Sequence, residues 1–430
     1  MKDKKKILAF FQGFALCNNV IYIFNYNTFY LNISCLVSLI TLVYIIIKEK
    51  NNISKYLKQI DKLFYLFLLF CLLSVIPMFF YFKNDLSIIN AFFNGLPSLV
   101  LIFIQYFIII ALYDHKKNIF QGVLFGFIIN IIFSLLQYIF FQQKQVFTLY
   151  RLFPNPAFQI PGDYFVLSAM PDIVSSLKIY SFRAQGLFLE TSYFLTFVIG
   201  SILIVMNIVK NNILKVILLL ISLWLCIISE SGNLLILLFT LITYLVVCFI
   251  KRKGTKIINR KVMLLIPCVM IIVCLTAIYV VNNPKITNSL DNSLLSANME
   301  DSGNHERFLS IERGMDLIIK YPFGIGYNMS STIYAKEYGN EYVNAIFSTL
   351  LVNELEIGLL GNLMYIIFSL KMIVYALRKK EDKTSLALGL SALGMFVCQI
   401  TNGISYWLML YVICAFAMIN ASMYEEQKDK

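Results

Sequence analysis

Long apolar runs separated by short polar connections make up most of the chain. A helix needs about 20 apolar residues to cross a hydrocarbon core ~30 Å thick. Twelve runs approach that length: 7–25, 28–47, 63–82, 95–113, 119–141, 193–209, 212–229, 233–250, 262–281, 354–377, 385–402 and 405–422. They predict an all-α, polytopic integral membrane protein with about 12 transmembrane helices, forming a single domain over 1–430 with no internal repeat. Two connections are long, 142–192 and 282–344, and both are expected on the extracytoplasmic side. Loops of such length are usually functional rather than mere connectors. Within the second, Asn304–Lys320 places Phe308, Ile311, Met315 and Ile318 at spacings of 3, 4 and 3, one face of an amphipathic helix. The run Tyr321-Pro322-Phe323-Gly324-Ile325-Gly326 ends it, because proline cannot continue a helix and the glycines allow tight turns.

Composition agrees with the pattern: 59% of the 430 residues are hydrophobic and only 14% are charged. The net charge of +12 would suggest a nucleic-acid partner in a soluble protein. Its distribution says otherwise. With the N-terminus inside, the inner segments hold 25 of the 36 Lys and Arg, the outer segments 10, and Lys371 lies within a span. Every short inner connection is basic, which orients the chain with both termini cytoplasmic in the cell membrane and removes the nucleic-acid reading. Met1–Lys6 and the apolar run after it resemble a signal peptide, but no A-x-A site follows and the segment is expected to stay as a first helix. The nine cysteines all fall in apolar runs without CxxC spacing, and the two histidines, His115 and His305, are far apart. Buried thiols are expected, with no metal site.

The chemistry should therefore lie in the outer segments. Arg183 and Glu190 are seven apart just before the sixth span, and would share a face if that segment were helical. The plainer reading has Arg183 snorkelling to the interface and Glu190 capping a helix. The functional one has a guanidinium forking onto a phosphate and a carboxylate at a low-dielectric margin taking a proton. Arg307 and Arg313 are either solvated residues or the rest of a cationic cup around an anion. Ser229-Glu230-Ser231-Gly232-Asn233 is a short outer turn whose hydroxyls and carboxylate suit a sugar, although turn chemistry alone accounts for Ser, Gly and Asn. Glu354 and Glu356 enter the tenth span, where a carboxylate must be paired or face a wet cavity.

At these residues the chain resembles the O-antigen polymerase and ligase superfamily, the Wzy-type polysaccharide polymerases. The resemblance rests on Arg183, Gly186, Glu190 and Ser192 entering a span after a long outer loop. It rests also on Arg307 with Met315 and the Pro322/Gly324/Gly326 turn, and on Glu356-Ile357-Gly358-Leu359-Leu360-Gly361. It implies an enzyme, a glycosyltransferase-type polymerase that joins polyprenyl-diphosphate (undecaprenyl diphosphate) linked oligosaccharide repeat units at the outer leaflet, building a capsule, O-antigen or exopolysaccharide. The lipid diphosphate would leave and no metal or cofactor would be needed. Arg183 and Arg307 would hold the diphosphate, since fixed guanidinium groups can stabilise a departing anion. Glu190, or instead Glu356 or His305, would orient or deprotonate the acceptor hydroxyl. Ser192, Glu230, Arg313, His305 and Glu356 are the expected substrate-binding positions. The bilayer is the partner throughout, with a chain-length regulator and a flippase as protein partners of the same pathway.

Ligases of the superfamily usually carry a His-Asn pair before the Glu-x-Gly stretch. Here the corresponding residues are Phe347-Ser348 or Val343-Asn344, and Glu230 stands where many relatives have arginine. The departure favours polymerase over an O-antigen-ligase-like transferase. A flippase or transporter of the same lipid-linked units would be expected to show repeat symmetry and ionisable groups at mid-membrane. The spans hold only Lys371, Glu354 and Glu356. A metal-dependent membrane glycosyltransferase would place acidic ligands in the first outer connection, which has no carboxylate.

Overall fold

Helix follows wherever an apolar run is long and free of clustered Asn and Pro, and the first departure from the expected pattern comes where that condition fails. The computed structural model describes residues 2–18, 22–26, 29–83, 85–143, 147, 184–188, 191–229, 233–252, 303–339, 346, 348–378, 383–401 and 406–428. Helix α1 (Lys2–Leu16) stops well short of the span expected to end at 25. A short two-stranded antiparallel hairpin follows, β1 (Tyr22–Tyr26) and β2 (Phe29–Asn32), in a fold that is otherwise helical and of the expected all-α class. The hairpin sequence is rich in Tyr, Phe and Ile, which favour strands, and Asn27-Thr28 separates the two strands. Asn32 then caps α2 (Ile33–Lys48), its Oδ1 accepting from the Cys35 N–H at 2.6 Å.

The chain continues through α3 (Ile53–Gln59), α4 (Lys62–Leu73), α5 (Val75–Phe82), α6 (Leu86–Ala111) and α7 (Lys116–Gln142). After the first long connection come α8 (Thr191–Ile208), α9 (Asn212–Ile228) and α10 (Asn233–Arg252). Then follow α11 (Gly303–Lys320), α12 (Ser330–Tyr338), α13 (Thr349–Arg378), α14 (Lys383–Thr401) and α15 (Tyr406–Lys428). Among the described residues six segments are long and apolar enough to cross a membrane: Lys62–Phe82, Ile88–Ala111, Tyr113–Gln142, Thr191–Ile208, Thr349–Arg378 and Lys383–Ile400. Ile33–Lys48, Asn212–Ile228 and Asn233–Cys248 are shorter apolar helices, and the run expected at 262–281 lies outside the described residues. Six of the twelve expected spans are thus of full length among the described residues.

Close approach of helices depends on small residues, as is usual where lipid provides no hydrophobic drive between them. Gly13 on α1 faces the Ile119 carbonyl of α7, and Gly122 and Gly126 of α7 face Phe10 and Cys17. A side chain at any of the three would collide with its neighbour. An aromatic core joins α4, α6, α13 and α15: Phe64 stacks on Tyr106 at 4.0 Å, Phe67 meets Tyr365 at 5.2 Å and Phe368 meets Phe416 edge-on at 5.4 Å. Gln105 donates to Ser34 Oγ at 2.8 Å and also bonds Ser38 and Gln12, so buried amides and hydroxyls link α1, α2 and α6. Five described cysteines are buried and two partly so, as thiols with no disulfide among them.

Lys371, well inside α13, is paired with Asp61, whose other task is to cap α4 by accepting from the Leu63 N–H at 2.9 Å. Lys5–Glu49 and Lys116–Glu425 each join two segments that charge counting assigns to the inner side. Lys320–Glu337 and Lys336–Asp85 each join two assigned to the outer side.

Candidate functional site

Two stretches of non-helical backbone are buried at one end of the bundle, and both coincide with motifs singled out in the sequence. Backbone that leaves a helix at membrane depth must find hydrogen bonds within the protein. The first stretch, Ala184–Phe188, finds them on α7. Gln137 makes a two-way pair with Gly186, accepting its N–H at 3.0 Å and donating to its carbonyl at 3.1 Å. Asn130 Oδ1 accepts from Leu187 N–H at 3.0 Å, while its Nδ2 donates to the carbonyls of Cys17 and Gly126. Gly186 has φ +58°, and a Cβ there would lie 2.9 Å from the Phe194 ring. The segment 184–188 is a clamped turn; Arg183 and Glu190, expected to share a face if helical, lie outside the described residues.

The same segment is tied to the turn after α9. Ser229 Oγ accepts from the Ala184 N–H at 3.0 Å, and Asn233 Nδ2 donates to the Ser192 carbonyl at 3.3 Å. Two motifs some forty residues apart in sequence are therefore joined at both edges. Asn130 and Gln137 were not among the expected site residues. Their signal was present, since two amides seven residues apart share one face of an otherwise apolar span.

The second stretch is Tyr321–Met329, and its partner is a break in α13. Gly358 has φ +73° inside that helix, splitting it into two arms. The Ile325 and Gly326 N–H groups donate to the carbonyls of Leu355 and Glu356 at 2.9 and 3.0 Å. Gly324 and Gly358 bring the two backbones into contact: a Cβ on Gly324 would lie 2.7 Å from the Glu356 carbonyl, and one on Gly358 2.8 Å from that of Phe323. The turn is also bound to the break between α4 and α5, where Pro77 cannot donate to the Leu73 carbonyl. Ser74 Oγ accepts from the Tyr327 N–H there at 2.9 Å, and Tyr327 OH lies 3.2 Å from Ser98 Oγ. Asn328 takes φ +64°, and the N–H groups of Asn328, Met329 and Ser330 converge on the Glu356 carboxylate, Ser330 at 3.1 Å.

Both stretches adjoin or fall within residues 216–366, which match the O-antigen ligase family model. The match supports the likeness of this chain to the O-antigen polymerase/ligase superfamily. No curated protein matches it closely enough to add to this.

Within the matched residues 216–366, Glu356, expected to bind substrate or act as base, is 6% exposed and accepts from consecutive backbone amides at the start of α12. Glu354, two residues earlier, is half-buried and accepts from Asn362 Nδ2 at 3.4 Å. Ser192 is half-buried at the start of α8. Arg183, Glu190 and Glu230 lie outside the described residues, and of His305 and Arg307 only the helical backbone is described.

Helix α11 forms where the amphipathic segment was expected, and packs on the bundle with a stripe other than its apolar face. Ser310, Gly314, Leu317 and then Tyr321 turn inward, whereas Met315 and Ile319 are exposed along with Phe323. At 3.6 residues per turn the buried stripe lies roughly 110° around the helix from the expected one. The reason is close packing: Gly314 has no side chain, so Ile346 comes within 3.0 Å of where its Cβ would be. On the same geometry positions 307 and 313 flank the buried stripe, one on each side. The Arg313 guanidinium lies over the Tyr338 ring, 4.9 Å from its centroid, which fixes it against α12.

Lys320 Nζ donates to Glu337 Oε2 at 2.6 Å, and Tyr321 OH to its other oxygen at 2.8 Å. The Lys320 hydrogen bond holds the Glu337 carboxyl below its ordinary range, and the same bond raises Lys320. A depressed carboxyl contributes stability above its unfolded pKa near ~4.3 and loses it as pH falls through the lower folded value. The raised lysine contributes below ~10.4 and loses it as pH rises through the higher folded value. The link between α11 and α12 is therefore expected to be intact at neutral pH. Glu337→Gln should speed amide exchange across 330–338 at pH 7, by the ~0.2–1 kcal/mol of an exposed ion pair. Exchange unchanged from wild type would show that the pair holds nothing.

Proposed function

We propose that this protein polymerises a surface polysaccharide by joining polyprenyl-diphosphate-linked oligosaccharide repeat units at the outer leaflet. The observation that carries the proposal is the pair of clamped non-helical stretches at one end of the bundle, within or beside the O-antigen ligase domain. One directly follows Arg183 in the chain, and the other follows the helix that bears Arg307 and Arg313. Rigid backbone on both sides is what a site needs to aim guanidinium groups at a diphosphate. In this reading Arg183 and Arg307 bind the diphosphate, and Arg313, seated on Tyr338, adds positive field beside it. Glu190 or His305 orients the acceptor hydroxyl, with Ser192 and Glu230 nearby in the chain for the sugars. Glu356 holds α12 and the turn in place. The leaving lipid diphosphate is stabilised by the arginines without a metal. The site end of the bundle faces outward and both termini lie in the cytoplasm, with the flippase and chain-length regulator of the pathway as partners.

The family description favours a second reading, transfer of a finished glycan to a different acceptor, as ligases do. The missing His-Asn pair before Glu356 weighs against it. Deleting the protein and separating cell-surface glycan by electrophoresis distinguishes the readings. Loss of polymerase leaves single repeat units displayed on the surface, loss of a ligase leaves polymer on its lipid carrier, and loss of a flippase strands units inside. An unchanged polymer ladder would refute the proposal.

A further inference from the structure

At the end of the bundle away from the candidate site, a cavity of about 480 Å3 opens among the first turns of α7 and α14 and the last turns of α8 and α13, against α15. Among the described residues its lining carries three lysines, Lys116, Lys117 and Lys210, and no carboxylate. Tyr375, Ser385 and Ser422 add hydroxyls, and the rest of the wall is largely apolar. Lys116 is held in position: its ammonium sits 4.3 Å over the Tyr113 ring, donates to the Tyr113 hydroxyl at 3.0 Å and lies 3.9 Å from Glu425 on α15. Lys117 and Lys210 are exposed, and Arg378 and Lys383 flank the lining in sequence.

The start of α7 is the odd feature. Lys116 and Lys117 occupy its first two positions, no acidic residue falls in its first turn, and His115 gives no side-chain cap. Cations at the positive end of a helix dipole oppose local stability, and an anion bound there would relieve both the lysines and the dipole. The volume suits a ligand headgroup, and an apolar wall beside a basic polar one suits an amphiphile at a membrane boundary. We propose that this cavity binds the phosphate of an anionic phospholipid headgroup, with the first part of its acyl chains against the apolar wall. The site is separate from the proposed glycan chemistry and does not depend on it.

Native mass spectrometry of the detergent-purified full chain tests this, with phosphatidylglycerol, phosphatidylcholine, glycerol 3-phosphate and inorganic phosphate added in turn. Phosphatidylglycerol should be retained over phosphatidylcholine, and Lys117→Ala with Lys210→Ala should weaken that retention at least about ten-fold. Both positions are exposed, so the melting temperature of the double variant should match wild type. Lys50→Ala with Lys55→Ala, equally basic but outside the lining, should leave retention unchanged. Equal retention of the two lipids, or full retention by the Lys117/Lys210 variant, would overturn the proposal. Inorganic phosphate or glycerol 3-phosphate binding as tightly as the lipid would overturn its lipid part and reassign the cavity to a free phosphate.

Discussion

Arg307→Ala and Arg183→Ala are each expected to abolish polymer while leaving the protein at its normal level. A guanidinium that meets charge developing on a departing diphosphate stabilises the transition state more than the ground state. Removing one such donor from a preorganised site costs about 100- to 1000-fold in rate. Arg→Lys at either position should recover only part of the activity, since an ammonium keeps the charge but cannot make two parallel hydrogen bonds to a phosphate. The measurement is the glycan ladder of cells carrying each variant, beside an immunoblot of the membrane fraction. Normal ladders from both alanine variants would remove the two arginines from the site while leaving the superfamily assignment untouched. On helix geometry position 307 lies at the edge of the buried stripe of α11. The stripe itself, Ser310, Gly314 and Leu317, would remain to seat the helix.

Gly324→Ala should be as damaging by a different route. The position has φ +95°, and a Cβ would press against the Glu356 carbonyl at 2.7 Å and the Gly358 nitrogen at 2.8 Å. Left-handed strain on a side chain costs on the order of 1–3 kcal/mol. Here the collision is with backbone, which cannot rotate away as a side chain would. The turn must separate from the break in α13, giving up the Ile325 and Gly326 hydrogen bonds that join them. Gly358→Ala meets the same contact from the other side, so the two changes together should cost less than their sum. Gly339→Ala separates strain from collision. That glycine has φ +83° but nothing within 4 Å, so only the conformational penalty should appear. Melting temperatures of the purified variants, read with the glycan ladder, check the order. If Gly324→Ala melts no lower than Gly339→Ala, the backbone contact is not what holds the turn.

These expectations drew on the sequence to very different degrees. The runs at 63–82, 119–141 and 354–377 became helices close to their expected bounds because each apolar stretch is long enough to satisfy its own backbone. The Pro322/Gly324/Gly326 turn was equally legible, since proline and glycine act through local backbone geometry. The first span failed because its second half pairs with a later segment as a hairpin, and pairing between segments leaves little trace in an apolar run. Hydrophobic periodicity marked the apolar face of α11, not the stripe that packs on the bundle. It weighs side-chain greasiness, whereas the buried stripe was selected by Gly314 and Ser310 allowing close approach. Glu356 was noticed as an expensive carboxylate, but its partners are backbone amides 26 to 28 residues earlier in the chain, which no spacing rule connects to it.

By itself, then, the sequence determined that the chain lives in a membrane, the likeness of its outer motifs to one superfamily, and the side on which its basic residues concentrate. Those properties follow from local composition and from the hydrocarbon thickness, and need no knowledge of what touches what. Only the tertiary structure decided that Asn130 and Gln137 clamp the backbone beside Arg183, that Gly324 meets Gly358, and that two lysines of α7 and one just after α8 line one cavity. Each of these depends on non-helical backbone or a charge finding its partner on a distant segment. In a low-dielectric interior that requirement is strict, but many pairings could satisfy it, and the packing of the whole bundle selects one.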